Sequence, residues 1–316
     1  MSRALVLAAA AAATAVVWQL RRRRQAHTTF TVLSWNILAR SFTYWNRQPP
    51  KCVQGHHNPL DELEDVQQTR ARYALASEEI LTRLPDAVLL QECDVDFFAP
   101  TFNPQAEALA AAYEVVATNE DGPGTAVLLR KQGRTLVPTG IVQRVGASEE
   151  RTGGYSKSAT MVQVSVTTSV GADLLWLISI HAAPVKFNPT AVRAHLDELY
   201  DALRGPASLP APLRVLLAGD LNASPSEVEE LQRTSCLGGL QRVEASTLGH
   251  TGLSATFDAP CTIDHAFLSP GLRLVAARRE KAPESPYAPV TGASGSAAKV
   301  VGASDHVWME VQVALS

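Results

Sequence analysis

Cysteine is scarce in this chain. The four present in 316 residues, Cys52, Cys93, Cys236 and Cys261, lie far apart with no C-x-x-C spacing and no paired histidine. That excludes a disulfide framework and a thiolate zinc module, and it fits a reducing compartment or indifferent thiols. Internal repeats and heptads are also missing, which excludes solenoids and coiled coils. With 46% hydrophobic and 19% charged residues the composition is that of a globular domain able to bury a full core.

Acidic residues are absent before Asp61, and the net charge of -3 conceals that asymmetry. Residues 1–29 hold five arginines, so removing them from 28 basic residues leaves 23 against 31 acids, a net -8 for residues 30–316. An acidic body is a poor non-specific binder of long duplex DNA.

Long apolar runs occur in one place. Ala4 to Leu20 is a 17-residue uncharged stretch followed at once by Arg21, Arg22, Arg23 and Arg24. As a helix at about 1.5 Å per residue it reaches roughly 25 Å, short of a hydrocarbon core of about 30 Å but able to span with snorkelling arginines. The arginine cluster outweighs Arg3, which places the remaining chain on the cytoplasmic side. We expect residues 1–29 to form an N-terminal anchor or targeting segment and residues 30–316 to form one folded domain. A mitochondrial presequence is the alternative.

From Thr29 short apolar runs alternate with amphipathic helices, the signature of a mixed α/β domain. The expected strands are "FTVLSWNIL", "DAVLLQE", "TAVLLRK", "ATMVQVSVT", "LLWLISIH", "RVLLAGDLN", "CTIDHAFLS", "LRLVAA" and "HVWMEVQVAL". Three helices are expected. Tyr73, Ala76, Ile80 and Leu84 make the stripe of the first. The second runs from an Asn188 cap and Pro189 to Gly205, with Val192, Leu196, Leu199 and Leu203 inward; the third begins with Ser224, Pro225 and Glu227 as a capping box. Arg40 to Asp65 and Ala282 to Ser304 read as long loops.

Nearly every apolar strand delivers a polar group at one end. "VLSWNIL" carries Asn36, "AVLLQE" ends in Glu92, "LLWLISIH" ends in His181, and "RVLLAGDLN" ends in Asp220 and Asn222. "CTIDHAFL" embeds Asp264, and the last strand opens with Asp305 and His306. Singly, each is an ordinary turn or backbone-pairing residue. Together they form the set that phosphodiester hydrolysis requires. Glu92 and Asn36 suit a hard divalent cation, Asp220 suits the attacking water, and Asn222, His181 and a protonated His306 suit charge on phosphoryl oxygens. Asp264 or Asp305 can orient His306.

The motifs "LSWNILA", "LLQECD", "SIH", "GDLNASP", "TIDHAFLS" and "ASDHVW" resemble, in order and spacing, those of the endonuclease/exonuclease/phosphatase superfamily with its DNase I-like fold. The resemblance covers Thr31 to Val313. It implies a four-layered α/β sandwich, two packed, mainly antiparallel β-sheets flanked by helices, acting with Mg²⁺ or Mn²⁺. It implies metal ligation by Asn36 and Glu92 with Asp305 as a further acid, water positioning by Asp220, phosphate binding by Asn222 and His181, and an Asp264–His306 pair. Within the superfamily the motifs look most like the branch of deadenylases, nocturnin-like enzymes and 2′-phosphodiesterases. His265 departs from that branch's usual aromatic residue, Ala182 and Ala183 replace its leucine, and Trp308 after "SDH" is shared with tyrosyl-DNA phosphodiesterases.

The resulting expectation is a divalent-metal-dependent phosphodiesterase acting on a nucleic acid or nucleotide, single-stranded RNA favoured, in the manner of a 3′-5′ exoribonuclease. The alternatives are a membrane-associated lipid or inositol-phosphate phosphodiesterase, and a non-catalytic scaffold.

Overall fold

The computed structural model describes residues 28–40, 65–118, 124–147, 157–168, 171–185, 189–204, 213–244, 252–254, 259–279, 287–289, 298–300, 304 and 306–315. Strand β1 (Thr29–Asn36) is followed by helix α1 (Val66–Arg83), β2 (Ala87–Cys93), α2 (Ala106–Ala112), β3 (Tyr113–Ala117) and β4 (Gly124–Arg130). Next come β5 (Leu136–Ala147), β6 (Lys157–Thr168), β7 (Gly171–His181), α3 (Pro189–Arg204), β8 (Val215–Asp220), α4 (Pro225–Thr234) and β9 (Gln241–Arg242). The chain then forms β10 (Gly252–Ser254), β11 (Ala259–Cys261), β12 (Asp264–Leu268), β13 (Leu272–Arg278), β14 (Tyr287–Pro289), β15 (Ala298–Val300) and β16 (Met309–Leu315).

Two six-stranded sheets result, in the orders β13-β16-β1-β2-β4-β3 and β5-β6-β7-β8-β12-β9, with β10-β11 and β14-β15 as separate ribbons. Each large sheet is antiparallel except for one central parallel pair, β1 with β2 and β7 with β8. Parallel partners end on the same side, and the antiparallel neighbours β16 and β12 begin there. Asn36, Glu92, His181, Asp220, Asp264 and His306 therefore collect at one edge of the sandwich.

Strand alternation divides the apolar residues between three buried layers. Phe30, Val32 and Leu89 of the first sheet face Val162, Val164, Leu177 and Leu216 of the second. Leu33, Trp35, Val88 and Leu90 point the other way, under Tyr73, Ala76 and Ile80 of α1. On the opposite face Ile178, Ile180 and Leu217 lie under Val192, Leu196, Leu199 and Leu203 of α3. Each such side chain taken out of water stabilises the fold by about 1.5–3 kcal/mol. Helix, sheet, sheet and helix make the expected four layers.

The helix starts follow the expected chemistry. Ser224 caps α4 with Pro225 at its first position and Glu227 closing a capping box, and Asp65 with Gln68 does the same for α1. Leu84 departs from expectation: it is the left-handed C-cap of α1 at φ 49° and is 44% exposed, so the stripe ends at Ile80. Seven strands, β3, β5, β9, β10, β11, β14 and β15, were not expected from the sequence, and the last two fall within Ala282 to Ser304, which read as a loop. In β5, Pro138 and Gly140 break the alternation, and the register shifts between Pro138 and Val142; the sheet tolerates this because β5 is an edge strand. Asn188 and Gly205 lie outside the described residues. So does the run Ala4 to Leu20; among the described residues no helix is long and apolar enough to cross a membrane.

Candidate active site

Asn36 and Glu92 end the parallel pair of one sheet, and His181 and Asp220 end that of the other, directly opposite each other in register. Asp264 opens β12 opposite Asp220, so Asp220 stands between His181 and Asp264 on its own sheet. His306 arrives just before β16. All are buried except Glu92, whose side chain is 12% exposed.

Two local backbone devices aim these groups. β2 bulges between Leu90 and Cys93, and Glu92 sits in that bulge at φ 50°, which turns its carboxylate away from the strand alternation and into the site. In β8, Gly219 takes φ 153°, and a Cβ there would overlap the Ile180 carbonyl oxygen. Only glycine lets β8 approach β7 this closely just before Asp220.

The Asn36 amide nitrogen donates to Glu92 Oε1 and to Asp220 Oδ2, each at 3.0 Å, so one side chain ties the two sheets together. Its Oδ1 accepts from Leu38 N at 3.0 Å. The Asn36 nitrogen thus faces the two carboxylates, and the Leu38 N–H holds its oxygen. Glu92 Oε2 accepts from Ala39 N at 3.3 Å. His181 Nε2 lies 3.5 Å from Glu92 Oε1 and 3.7 Å from Asp220 Oδ2.

His306 Nδ1 is 2.9 Å from Asp264 Oδ2 and its Nε2 is 3.9 Å from Asp220 Oδ2. Of the two acids that the sequence left open, Asp264 is therefore seen against His306; Asp305 lies outside the described residues. Asn222, at φ 48°, sits just past Asp220, accepts on its carbonyl from Val185 N at 3.4 Å, and donates its Nδ2 to Ala182 O at 3.0 Å. Its backbone N–H donates to Asp220 Oδ1 at 2.7 Å.

Several supporting residues were not singled out from the sequence. Ser304 donates to the Asn36 carbonyl at 2.7 Å and accepts from His306 N, while the Trp35 indole donates to the His306 carbonyl at 2.9 Å. Gln91 donates to Ser179 Oγ at 2.9 Å, and Thr125 and Thr160 hydroxyls meet at 2.7 Å, pinning the sheets under the site. Arg72, fully buried, donates to the Ile37 carbonyl at 2.5 Å. Asp94 accepts from Arg40 N and the Tyr73 hydroxyl. Burial pushes the Asp94 carboxyl up from its ordinary value, and those two hydrogen bonds oppose the shift. In the sequence these residues look like routine strand and helix positions; their partners lie up to 271 positions away.

Glu92, His181 and Asp220 bring one ligand atom each within 4.8 Å of the others, as do Asp220, Asp264 and His306. Buried carboxylates this close repel unless a cation or protons intervene. Two carboxylates with an imidazole beside them form a donor set that fits a hard divalent cation with open positions for water and phosphoryl oxygen.

A family model described as "Endonuclease/Exonuclease/phosphatase family" matches residues 33–306. The chain belongs to that family, whose members are phosphoesterases and nucleases. Among solved structures, an endonuclease/exonuclease/phosphatase family protein from Bacteroides thetaiotaomicron aligns with TM-score 0.61 at 13% identity, covering 92% of this chain and 99% of its own. TDP2 of D. rerio, solved with a single-strand DNA product, gives TM-score 0.58 at 16% identity, covering 90% and 99%. The human nocturnin catalytic domain with bound sulfate gives 0.54 at 18% identity, covering 93% and 98%. No protein of curated function matches.

Proposed function

We propose that this protein is a divalent-metal-dependent phosphodiesterase that hydrolyses a single-stranded nucleic acid or a nucleotide. The observation that carries this reading is the position of Asp220, held by Asn36 and flanked by His181 and His306, with the Glu92 carboxylate on the facing sheet. When bound beside Glu92, a divalent cation supplies Lewis acidity toward a phosphoryl oxygen.

The chain's own residues do the rest. Asp220 accepts a proton from the attacking water, and that water's oxygen bonds to phosphorus as the ester P–O bond breaks. Asn222 spends one N–H on Ala182 and has a second for a phosphoryl oxygen. His181 and His306 flank the same face, where their N–H groups meet charge developing on the phosphoryl oxygens. The proton that Asp220 gains returns to solvent, and the leaving oxygen departs as an oxyanion that takes its proton from solvent.

The single-strand product held by the D. rerio relative supports a nucleic-acid substrate, and the -8 body disfavours long duplexes. In the same proposal the run Ala4 to Leu20, closed by four arginines, anchors the catalytic domain on the cytoplasmic face of a membrane.

The full chain is assayed with Mg²⁺ or Mn²⁺, and with EDTA, on poly(A) RNA, single-stranded DNA, a dinucleotide phosphate, a 5′-tyrosyl oligonucleotide and sphingomyelin. Metal-dependent cleavage of an RNA, DNA or nucleotide is expected; cleavage of the lipid alone, or of nothing, overturns the reading.

A further inference from the structure

Asn222 is a non-glycine residue in the left-handed region, φ 48°, at the position where phosphate would be met. Such a conformation is uncommon, and it persists only where its surroundings over-determine it. The turn around it is tied to its neighbours at several points. Leu221 N donates to Ile263 O at 3.0 Å, Asn222 N to Asp220 Oδ1, and Asn222 Nδ2 to Ala182 O. The next carbonyl, that of fully buried Ala223, is met by a side chain: His265 Nε2 lies 2.8 Å from it.

A carbonyl oxygen only accepts, so Nε2 carries the proton. His265 stands on β12 opposite Gly219, is 2% exposed, and lies behind the turn. It does not line the face that Asp220 and Asn222 share. Burial drives its imidazole down to about 4, the Ala223 bond and Asp264 oppose this, and Arg242 adds to it. The ring is therefore a neutral donor whose tautomer is set by the turn.

We propose that His265 is a positioning residue: its Nε2–H holds the Ala223 carbonyl and so keeps Asn222 in the left-handed turn that presents its amide to a phosphoryl oxygen. This rests on the phosphodiesterase reading above. Without the donor, the buried carbonyl has no partner and the turn relaxes toward an ordinary negative φ, which withdraws the amide.

The test uses the full chain with Mn²⁺, bis(p-nitrophenyl) phosphate as substrate and inorganic phosphate as competing ligand. His265→Phe keeps a buried ring without the donor, and His265→Gln returns an amide N–H at similar reach. The Phe variant is expected to weaken phosphate inhibition about tenfold and to raise KM more than it lowers kcat, and the Gln variant to recover most of both. Should the Phe variant melt below the assay temperature, His265→Met, which has the shape of Gln without its amide, takes its place under the same criteria.

Phosphate affinity unchanged in the donor-free variant, or a Gln variant as weak as Phe, overturns the proposal. So does a nitrogen-15 spectrum of the wild-type chain that puts the neutral proton of His265 on Nδ1, a readout independent of turnover. A wild-type chain inert toward every phosphodiester with every divalent ion overturns the functional reading instead, and is told apart by the wild type itself failing.

Discussion

His306 is held against Asp264, Nδ1 to Oδ2 at 2.9 Å, and this contact decides which imidazole nitrogen faces Asp220. The carboxylate accepts from Nδ1–H, which leaves Nε2 facing the reacting centre, and its charge supports the doubly protonated ring whose Nε2–H would meet a phosphoryl oxygen. Asp264→Asn keeps the shape but removes the charge that supports the doubly protonated ring. We expect kcat to fall by about 10² or more with the melting temperature little changed; steady-state kinetics beside thermal melts check this. An unchanged kcat removes His306 from the mechanism.

Glu92 and Asp220 share the Asn36 amide, and under the proposed function a divalent cation bound beside them would relieve the repulsion between the two carboxylates. Saturating Mn²⁺ at about a hundred times Kd is expected to stabilise the fold by about 2.7 kcal/mol, a rise of roughly 3 °C per kcal/mol for a domain this large. Glu92→Gln is expected to lose most of that rise and to weaken Mn²⁺ in calorimetry by about tenfold or more. A variant that keeps the full wild-type shift shows that Glu92 is no ligand.

At Gly219 the obstacle is steric. Gly219→Ala places a methyl group on the Ile180 carbonyl at a φ that L-residues rarely adopt. The two strands that carry His181 and Asp220 must then separate. We expect a loss of about 3 kcal/mol or more in urea unfolding. Gly133→Ala, where a Cβ meets nothing within 4 Å although φ is 63°, is expected to cost less, by backbone strain alone.

His265 also gives a pH dependence with a defined sign. Its folded-state value is about 4 against 6.5 for the free group, so between those limits the unfolded chain binds more protons. The stability it supports is complete above about 6.5 and is lost as pH falls toward 4, by about 3 kcal/mol in all. Urea midpoints across that range, wild type against His265→Phe, measure it. Equal slopes in the two proteins mean that another group dominates.

Much of the site was legible because a polar residue at the end of an apolar strand is conspicuous. Asn36, Glu92, His181, Asp220 and Asp264 each close or open a buried run, and those short apolar runs between amphipathic helices already pointed to a mixed α/β domain. What could not be read depends on partners distant in the chain. The bulge that turns Glu92 inward exists only when β2 pairs with β4, and the amide orientation of Asn36 follows from Leu38. His265 looked like a departure in a strand; its meaning comes from the carbonyl of Ala223, 42 positions away. Leu84 fitted the helical period, but the chain had already turned left-handed there.

β1 and β16, the first and last strands, are immediate neighbours, and Ser304 and Trp35 stitch the stretch before β16 to the end of β1 across 268 and 271 positions. Contacts of that separation form late, because the entropy of closing so long a loop must be met first. A nascent chain that lacks β16 already holds Asn36, Glu92, His181, Asp220 and Asp264, yet the segment that carries His306 has nowhere to dock. Synthesis order thus sets the order of assembly: His306 joins the site only once its following strand has slotted between β13 and β1.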